Sequence, residues 1–301
     1  MRSVLAIDMG GTKTAIATVD DRGQVIDRST EVTEHRPPED SIRAFHERAR
    51  LLHGFDAISA VGMALPAIVG RDGVVTWAAA SAAGWEATPV DSLLSATFGL
   101  PAGAMFDGYA ATLGEAIFGA GRGRSSVATL IIGTGFGAGF WSEGRVIEGR
   151  TGVAGAVGWN RWQLADGSLS EPAEAIASGT GILAEARRLG RADDYRDTRS
   201  VFDRAESGDA AAREAITRAA TVAGTVAGQL INLLAPELVV WSGGVGSRPD
   251  FSEEATVVAR QSCQPYASAR THFTNSSLGA ESSLVGAAAK GLSIAGGEVP
   301  G

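Results

Sequence analysis

The sequence predicts an α/β protein of two lobes, and three observations lead to this prediction. The chain has 301 residues, enough for two domains of ordinary size. Apolar, strand-like runs alternate with helical patterns. A module of strand, glycine turn, strand, polar turn and strand occurs twice, about 125 residues apart. Such a duplication favours two lobes of like topology that each offer a glycine turn to a shared cleft, although two hairpins can also be similar by chance.

Composition and charge exclude several classes of protein. Apolar residues make up 45% of the chain and charged residues 20%, which is typical of globular proteins and not of disordered ones. The net charge of −8 argues against nucleic acid as the main partner, because 34 acidic side chains outnumber the 26 basic ones that could neutralise phosphates. The single cysteine, Cys263, allows no internal disulfide. No apolar run reaches the roughly 18 residues of a membrane span, and no leader is evident, so we expect a soluble cytoplasmic protein.

The first module and the helices after it come from the amino-terminal third of the chain. Strands are predicted over residues 3–7, 15–19 and 24–26, separated by a glycine turn and a polar turn. Helical spacing of apolar residues predicts helices over 41–52 and, directly after Asp107, over 110–118.

The second module begins with an apolar strand over residues 127–132 and ends with a strand over 145–147. A long alanine-rich helix is predicted over 209–234, and the apolar run 238–241 predicts a buried parallel strand. Residues 283–294 predict a closing helix.

These elements predict the domain organisation. An N-terminal α/β lobe is expected over residues 1–108, with helix 283–294 packing back on it. A C-terminal α/β lobe is expected over residues 109–282, and the tail 296–301 is expected to be frayed.

The first glycine turn has the residues of a phosphate site. Asp8 ends a strand, Gly10 and Gly11 form a turn, and hydroxyls follow at Thr12 and Thr14. Backbone N–H groups of such a turn can hold a phosphate, and a nearby carboxylate can hold its hydrated Mg²⁺. The turn is not a P-loop, because it leads into a strand and lacks the P-loop spacing. The alternative is an ordinary hairpin turn. The predicted phosphate and metal residues are Asp8, Gly10, Gly11, Thr12, Lys13 and Thr14.

Two further glycine turns follow buried strands. Gly133, Thr134 and Gly135 form the corresponding turn of the second module, and Gly243 and Gly244 follow the strand 238–241. The turn at Gly133–Gly135 is predicted to bind a polyphosphate together with the first glycine turn. The turn at Gly243 and Gly244 is predicted to contact a nucleoside through its backbone, because glycine has no side chain to block the approach. Each is weak alone, but three such turns in one chain favour nucleotide binding.

Asp107 is a single carboxylate between a short apolar run and a small-residue helix. This position is typical of a helix N-cap. It also suits a general base that accepts the proton of a hydroxyl attacking a γ-phosphate. The local sequence leaves both interpretations open.

Motifs along nearly the whole chain resemble those of the ROK family, which contains repressors, uncharacterised reading frames and sugar kinases. They lie at residues 8–13, 65–85, 98–101, 107–115, 119–123, 132–135, 155–158, 177–179 and 242–244. The resemblance implies an actin-like, ribonuclease-H-like fold with duplicated mixed sheets flanked by helices. It also implies ATP with Mg²⁺, phosphorylation of a sugar's terminal hydroxyl, and a homodimer. Asp107 matches the family's catalytic aspartate, and Glu174 matches a sugar-contacting glutamate.

The departures from the family pattern fall on the acceptor subsite. Phe106 and Ser81 replace asparagines of the family. Where the family has a Glu-x-Gly-His motif, Ala156 and Trp159 replace the acid and the histidine. That histidine normally helps to bind zinc with a cysteine cluster, and the cysteines are also missing, so we expect no zinc site.

The rebuilt subsite predicts an unusual acceptor, because apolar walls do not select hydroxyls as hydrogen-bonding groups do. An amino sugar, a deoxy or N-acyl sugar, or a C7 cyclitol is favoured over plain glucose. Core packing is the alternative for Trp159. The predicted substrate-binding residues are Ser81, Phe106, Asp107, Gly155, Trp159 and Glu174.

The sequence therefore predicts an ATP-dependent kinase of a sugar or sugar-like polyol, with Asp107 as the base. One alternative is a catalytically inactive ligand sensor of the same fold. A repressor is disfavoured because only seven residues precede Asp8. Polyphosphate as the phosphate donor is disfavoured, because an acidic chain with two lysines is not expected to bind a long polyanion.

Overall fold

A computed structural model describes residues 2–296, which form two compact units. Unit 1 contains residues 1–125, 140–154 and 280–301, and unit 2 contains residues 126–139 and 155–279. The boundary predicted between residues 108 and 109 stays a prediction. Of the tail expected to be frayed, residues 297–301 lie outside the described residues.

Unit 1 is built on a five-stranded mixed sheet. Its strands are β1 (Ser3–Met9), β2 (Lys13–Asp20), β3 (Val25–Val32), β4 (Ile58–Leu65) and β7 (Ala102–Phe106), in the order β3-β2-β1-β4-β7. The first three strands pair antiparallel, and β4 pairs parallel with both β1 and β7. Parallel strands end at one edge of a sheet, so this topology brings Asp8 and Asp107 to the same edge. A separate hairpin pairs β5 (Ala67–Val69) with β6 (Val75–Ala78).

Helices cover both faces of this sheet. They are α1 (Pro38–Ala49), α2 (Val90–Phe98), α3 (Asp107–Ile117) and α11 (Ser282–Ile294). Successive side chains of β1 point to opposite faces. Leu5 and Ile7 belong to a core with α1 and α2, whereas Val4 and Ala6 belong to a core with α3 and α11. The sheet is therefore buried on both sides.

The second five-stranded sheet repeats the plan of the first. Its strands are β8 (Ser126–Ile132), β9 (Phe136–Ser142), β10 (Arg145–Val146), β11 (Leu238–Ser242) and β12 (His272–Asn275), in the order β10-β9-β8-β11-β12. Strand β11 pairs parallel with β8 and β12, and β10 pairs antiparallel with β9. The predicted α/β class with duplicated mixed sheets is confirmed.

Over its residues 126–139 and 155–279, unit 2 contains seven α-helices. They are α4 (Ala173–Ala177), α5 (Gly179–Leu189), α6 (Thr198–Glu206), α7 (Ala210–Leu234), α8 (Gly243–Gly246), α9 (Pro249–Ser262) and α10 (Pro265–Ser268). Asp209 is the N-cap of the long helix α7, and its side chain accepts a hydrogen bond from the amide of Ala212. The N-cap therefore lies at residue 209, where the sequence predicts the start of the helix. Within residues 2–296, no helix has the length and apolar character needed to cross a bilayer.

Several predicted elements differ from the observed ones in their bounds, and two of these differences have a clear physical reason. The helix predicted over 41–52 is α1, which begins at Pro38 because proline at the first helical position needs no N–H partner. Strand β3 continues to Val32, beyond the predicted 24–26, because its backbone pairs with β2 although its side chains are largely exposed. Long-range pairing, absent from the local pattern, sets this second bound.

Candidate active site

Asp8 and Asp107 lie at the carboxyl ends of β1 and β7. Asp107 is the first residue of α3, and the N-cap position is occupied by Phe106 without a side-chain hydrogen bond. The Oδ1 atom of Asp107 accepts a hydrogen bond of 2.7 Å from the amide of Gly108, its neighbour. Asp107 is therefore not an N-cap, and its second carboxylate oxygen has no hydrogen bond within the described chain.

The two carboxyl groups are electrostatically unusual. Burial raises the pKa of Asp107 from 3.8 to about 6, although the Gly108 hydrogen bond opposes this shift. Burial also raises the pKa of Asp8 from 3.8 to about 7, with smaller contributions from the charges of Asp107 and Glu281. A carboxyl with a pKa near 6 is mostly ionised at neutral pH and still accepts a proton readily, as a general base must.

Burial of Asp107 predicts a stability that falls as the pH rises. Unfolded Asp titrates near 3.8 and folded Asp107 near 6, so the folded state binds more protons between these values. We expect Asp107→Asn to increase the free energy of unfolding by about 1 to 3 kcal/mol at neutral pH, and by much less near pH 4. Urea unfolding at both pH values measures this. The exposed Asp56→Asn is the control, and an Asp107→Asn protein that is less stable at neutral pH contradicts the prediction.

The first glycine turn is closed by a hydrogen bond of 3.0 Å from the amide of Gly10 to the carbonyl of Lys13. Gly11, Thr12 and Lys13 are exposed, so their backbone is accessible to a ligand. Ser81 lies against this turn, because a Cβ atom on Gly11 would come within 2.8 Å of the Ser81 Cβ. The structure thus places a predicted acceptor residue beside the predicted phosphate turn.

Thr33, which the sequence analysis missed, braces this turn. Its hydroxyl donates to the carbonyl of Gly10 at 2.7 Å, and its amide donates to the carbonyl of Thr12 at 2.9 Å. The Thr14 hydroxyl lies 2.9 Å from the Thr33 hydroxyl, whose hydrogen is already used, so Thr14 donates. Thr14 is buried, so its hydroxyl stabilises the turn from inside through the hydrogen bond to Thr33. No local pattern marks Thr33, because the bond to Gly10 spans 23 positions.

Thr33→Val is expected to weaken binding of the nucleotide phosphate predicted for this turn about tenfold, because it removes one hydrogen bond and leaves the Thr14 hydroxyl without its acceptor. The Kd of ATP, measured by calorimetry, checks this. Thr33→Ser should restore binding, and Thr30→Val, at an exposed position of β3 three residues before Thr33, should not change it. An unchanged Kd in a folded Thr33→Val protein contradicts the bracing role.

The second glycine turn, in unit 2, is braced by the start of α5. The amide of Gly133 donates to the carbonyl of Gly135 at 3.0 Å, and the amide of Gly179 donates to the carbonyl of Gly133 at 2.7 Å. Thr180 donates from its hydroxyl to the carbonyl of Thr134 at 3.0 Å. Thr134 itself is exposed. Two of the turn's carbonyls are therefore fixed by α5.

The third turn begins α8 directly after β11. Gly243 has a φ of +86°, and a Cβ atom there would lie 2.3 Å from the carbonyl oxygen of Ile132. Only glycine meets both conditions. A Cβ atom on Gly244 would meet no heavy atom within 4 Å, so the backbone at this point is open.

Three predicted acceptor residues, Gly155, Trp159 and Glu174, belong to unit 2. Glu174 accepts a hydrogen bond of 2.8 Å from the amide of Phe136 through its Oε2 atom. Gly155 has a φ of +88°, and a Cβ atom there would lie 1.9 Å from the carbonyl oxygen of Ala138. Trp159 is 77% exposed, so the core-packing alternative for this indole is wrong.

The other predicted acceptor residues, Ser81, Phe106 and Asp107, belong to unit 1. The ring of Phe106 packs edge-to-face on that of Tyr109, with 5.4 Å between the ring centroids. Within unit 1 the structure therefore brings together Asp8, Asp107 and the first glycine turn with Ser81. Within unit 2 it brings the second glycine turn and Glu174 together.

The carboxylates at the ends of β1 and β7 fit a hydrated Mg²⁺. Mg²⁺ is usually bound by one or two carboxylates together with waters and substrate phosphates. Asp8 is desolvated and repelled by Asp107, and a divalent cation would relieve both effects. In residues 2–296, no three His, Cys, Asp or Glu side chains form a metal-binding cluster.

Comparison with known proteins gives consistent matches. The profile of the ROK family matches residues 4–291. The bifunctional enzyme NanE/NanK of Brucella melitensis is 33% identical over 291 residues, which are 95% of this chain and 53% of that protein. The chain thus spans about half the length of this relative.

Two further matches cover most of this chain and most of the matched protein. The N-acetylmannosamine kinase of Yersinia pestis is 28% identical over 275 residues, which are 87% of this chain and 89% of that enzyme. The ROK hexokinase from Thermus thermophilus is 26% identical, with a TM-score of 0.81 over 98% of this chain and 100% of that chain. The predicted actin-like, ribonuclease-H-like α/β fold is confirmed by such structural neighbours.

Proposed function

Because the chain belongs to the ROK family, we propose that it is an ATP-dependent kinase that phosphorylates a primary hydroxyl of a sugar or sugar-like polyol. The observation that carries this proposal is Asp107, a partly buried carboxylate whose pKa is raised to about 6, at the same sheet edge as Asp8. The names of its relatives, an N-acetylmannosamine kinase and a hexokinase, support the same reaction class.

In the proposed reaction Asp107 accepts the proton of the acceptor hydroxyl as that oxygen attacks the γ-phosphorus of ATP. Backbone N–H groups of the first glycine turn bind phosphate oxygens and orient the chain of phosphates. Asp8 would hold Mg²⁺ through water, and Mg²⁺, when bound, neutralises phosphate charge. Gly133, Thr134 and Gly135 are proposed to bind phosphate, and Gly243 and Gly244 to bind the nucleoside.

The acceptor is proposed to be an amino sugar, a modified hexose or a C7 cyclitol in preference to plain glucose. Ala156 and Trp159 support this, because a methyl group and an exposed indole cannot replace the hydroxyl contacts of an acid and an imidazole. Among these acceptors, an N-acyl sugar is supported by the similarity of the chain to the N-acetylmannosamine kinase of Yersinia pestis.

ATP is proposed as the donor in preference to polyphosphate, because the chain is acidic and has only two lysines. A homodimer is proposed on family resemblance. The inactive sensor is not favoured, since Asp107 and the three glycine turns are all present.

The test is ADP release from ATP and Mg²⁺ across a panel of acceptors. The panel contains glucose, mannose, N-acetylated hexosamines, 3-amino-3-deoxyglucose and C7 cyclitols. Turnover concentrated on one amino sugar, N-acyl sugar or cyclitol supports the proposal. Turnover concentrated on glucose contradicts the rebuilt acceptor site, and ATP binding without any turnover favours the sensor.

A further inference from the structure

A cavity of about 220 Å³ lies in unit 1, beside the free edge of β7. Its wall contains the β5 hairpin turn, the start of α2, the end of β7, α3 and α11. Neither Asp8 nor Asp107 lines it, so it is separate from the proposed catalytic carboxylates. The lining side chains that matter here are Arg71, Asp91, Phe106, Tyr109, Glu148 and Lys290.

Four charged side chains face this cavity without forming an ion pair. Within residues 2–296, neither Arg71 nor Lys290 has an ion-pair or hydrogen-bond partner, and the Glu148 carboxylate has none. Asp91 uses one carboxylate oxygen to accept a hydrogen bond of 2.7 Å from the amide of Ala104. Four arginines elsewhere in unit 1 do form ion pairs: Arg28, Arg36, Arg43 and Arg48.

Three of these four charges are partly desolvated, and the fourth, Arg71, is exposed. Lys290, Asp91 and Glu148 are half-buried, and the stem of Lys290 passes Gly103, where a Cβ atom would lie 3.2 Å from its Cε. Half-buried charges without an ion-pair partner cost free energy, which a bound molecule of complementary charge recovers. This arrangement of charges is therefore more typical of a ligand-binding site than of a network of surface ion pairs that stabilises the fold.

The mixture of charges selects the ligand. A simple anion would meet the carboxylates of Asp91 and Glu148, and a simple cation would meet Arg71 and Lys290. A zwitterion satisfies both pairs. The rings of Phe106 and Tyr109 add an apolar wall that suits the carbon skeleton of a small ring.

We propose that this cavity binds an amino sugar phosphate, with its phosphate on Lys290 and Arg71 and its ammonium on Glu148 and Asp91. The sugar phosphate class rests on the proposed function, because it is the product class of an amino sugar kinase. Phe106 lines the cavity and directly precedes Asp107, so a bound product contacts the residue next to the proposed base. The site would thereby make the enzyme responsive to its own product.

Calorimetry without nucleotide tests the proposal, using glucosamine 6-phosphate as the probe. Glucosamine lacks the phosphate and glucose 6-phosphate lacks the ammonium, so each compound lacks one of the two charged groups. We expect the zwitterion to bind at least about tenfold more tightly than either compound. We also expect Lys290→Met and Glu148→Gln each to weaken its binding about tenfold. Arg50→Met removes an exposed cation of unit 1 outside the cavity and should not change binding.

Three results would overturn the proposal. The first is equal binding of glucosamine 6-phosphate and glucose 6-phosphate. The second is binding that survives Lys290→Met, which would place the sugar phosphate in the acceptor site. The third is no binding to the folded protein at millimolar concentration. Since no ATP is present, these results do not depend on catalysis, and failure of the kinase proposal would appear separately in the ADP-release assay.

Discussion

Replacing Asp107 by Asn is expected to lower the rate of sugar phosphorylation by a factor of about 10² to 10⁴. The amide keeps the acceptor oxygen for the Gly108 hydrogen bond but cannot take a proton from the attacking hydroxyl. The Kd of ATP should therefore stay almost unchanged while kcat falls. Steady-state kinetics with the best acceptor of the panel, together with calorimetry for ATP, measure both quantities.

The pH dependence of the wild-type rate tests the role of Asp107 as the base independently. Because Asp107 must be ionised to act as a base and burial raises its pKa to about 6, kcat/KM should fall as the pH decreases through about 6. Asp56→Asn, at an exposed position, should retain the full rate. An active Asp107→Asn protein would remove Asp107 from the proposed mechanism.

The double substitution Ala156→Glu and Trp159→His is expected to shift the acceptor preference toward glucose by about 10²-fold. A carboxylate and an imidazole can hydrogen-bond sugar hydroxyls, whereas the methyl group and the indole present an apolar surface. Trp159 is 77% exposed, so the change should not disturb the core. The ratio of kcat/KM for glucose to kcat/KM for the best acceptor measures the shift.

Trp77→His provides a matched control for this experiment. Trp77 is 54% exposed on β6 and is not among the proposed acceptor residues, so its replacement should leave the ratio unchanged. If the double variant binds ATP and retains its original acceptor preference, these two positions do not determine the acceptor.

The sequence by itself determined the local features of this protein. The glycine turns, the strands beside them and the duplicated module are set by residues a few positions apart, and the structure contains two sheets of identical strand order. The position of Asp107 directly after β7, at the start of α3, follows from the same local pattern. The family motifs indicated its role as a base, which the Asp107→Asn experiment tests.

Only the tertiary structure decided the features that depend on residues far apart in the chain. The bond from Thr33 to Gly10, the raised pKa of Asp107 and the cavity between Asp91 and Lys290 all arise from packing of distant segments. The same is true of the exposure of Trp159, which its own sequence left open. Burial and long-range contacts set solvation, and solvation sets the cost of a charge, so no local pattern contains this information.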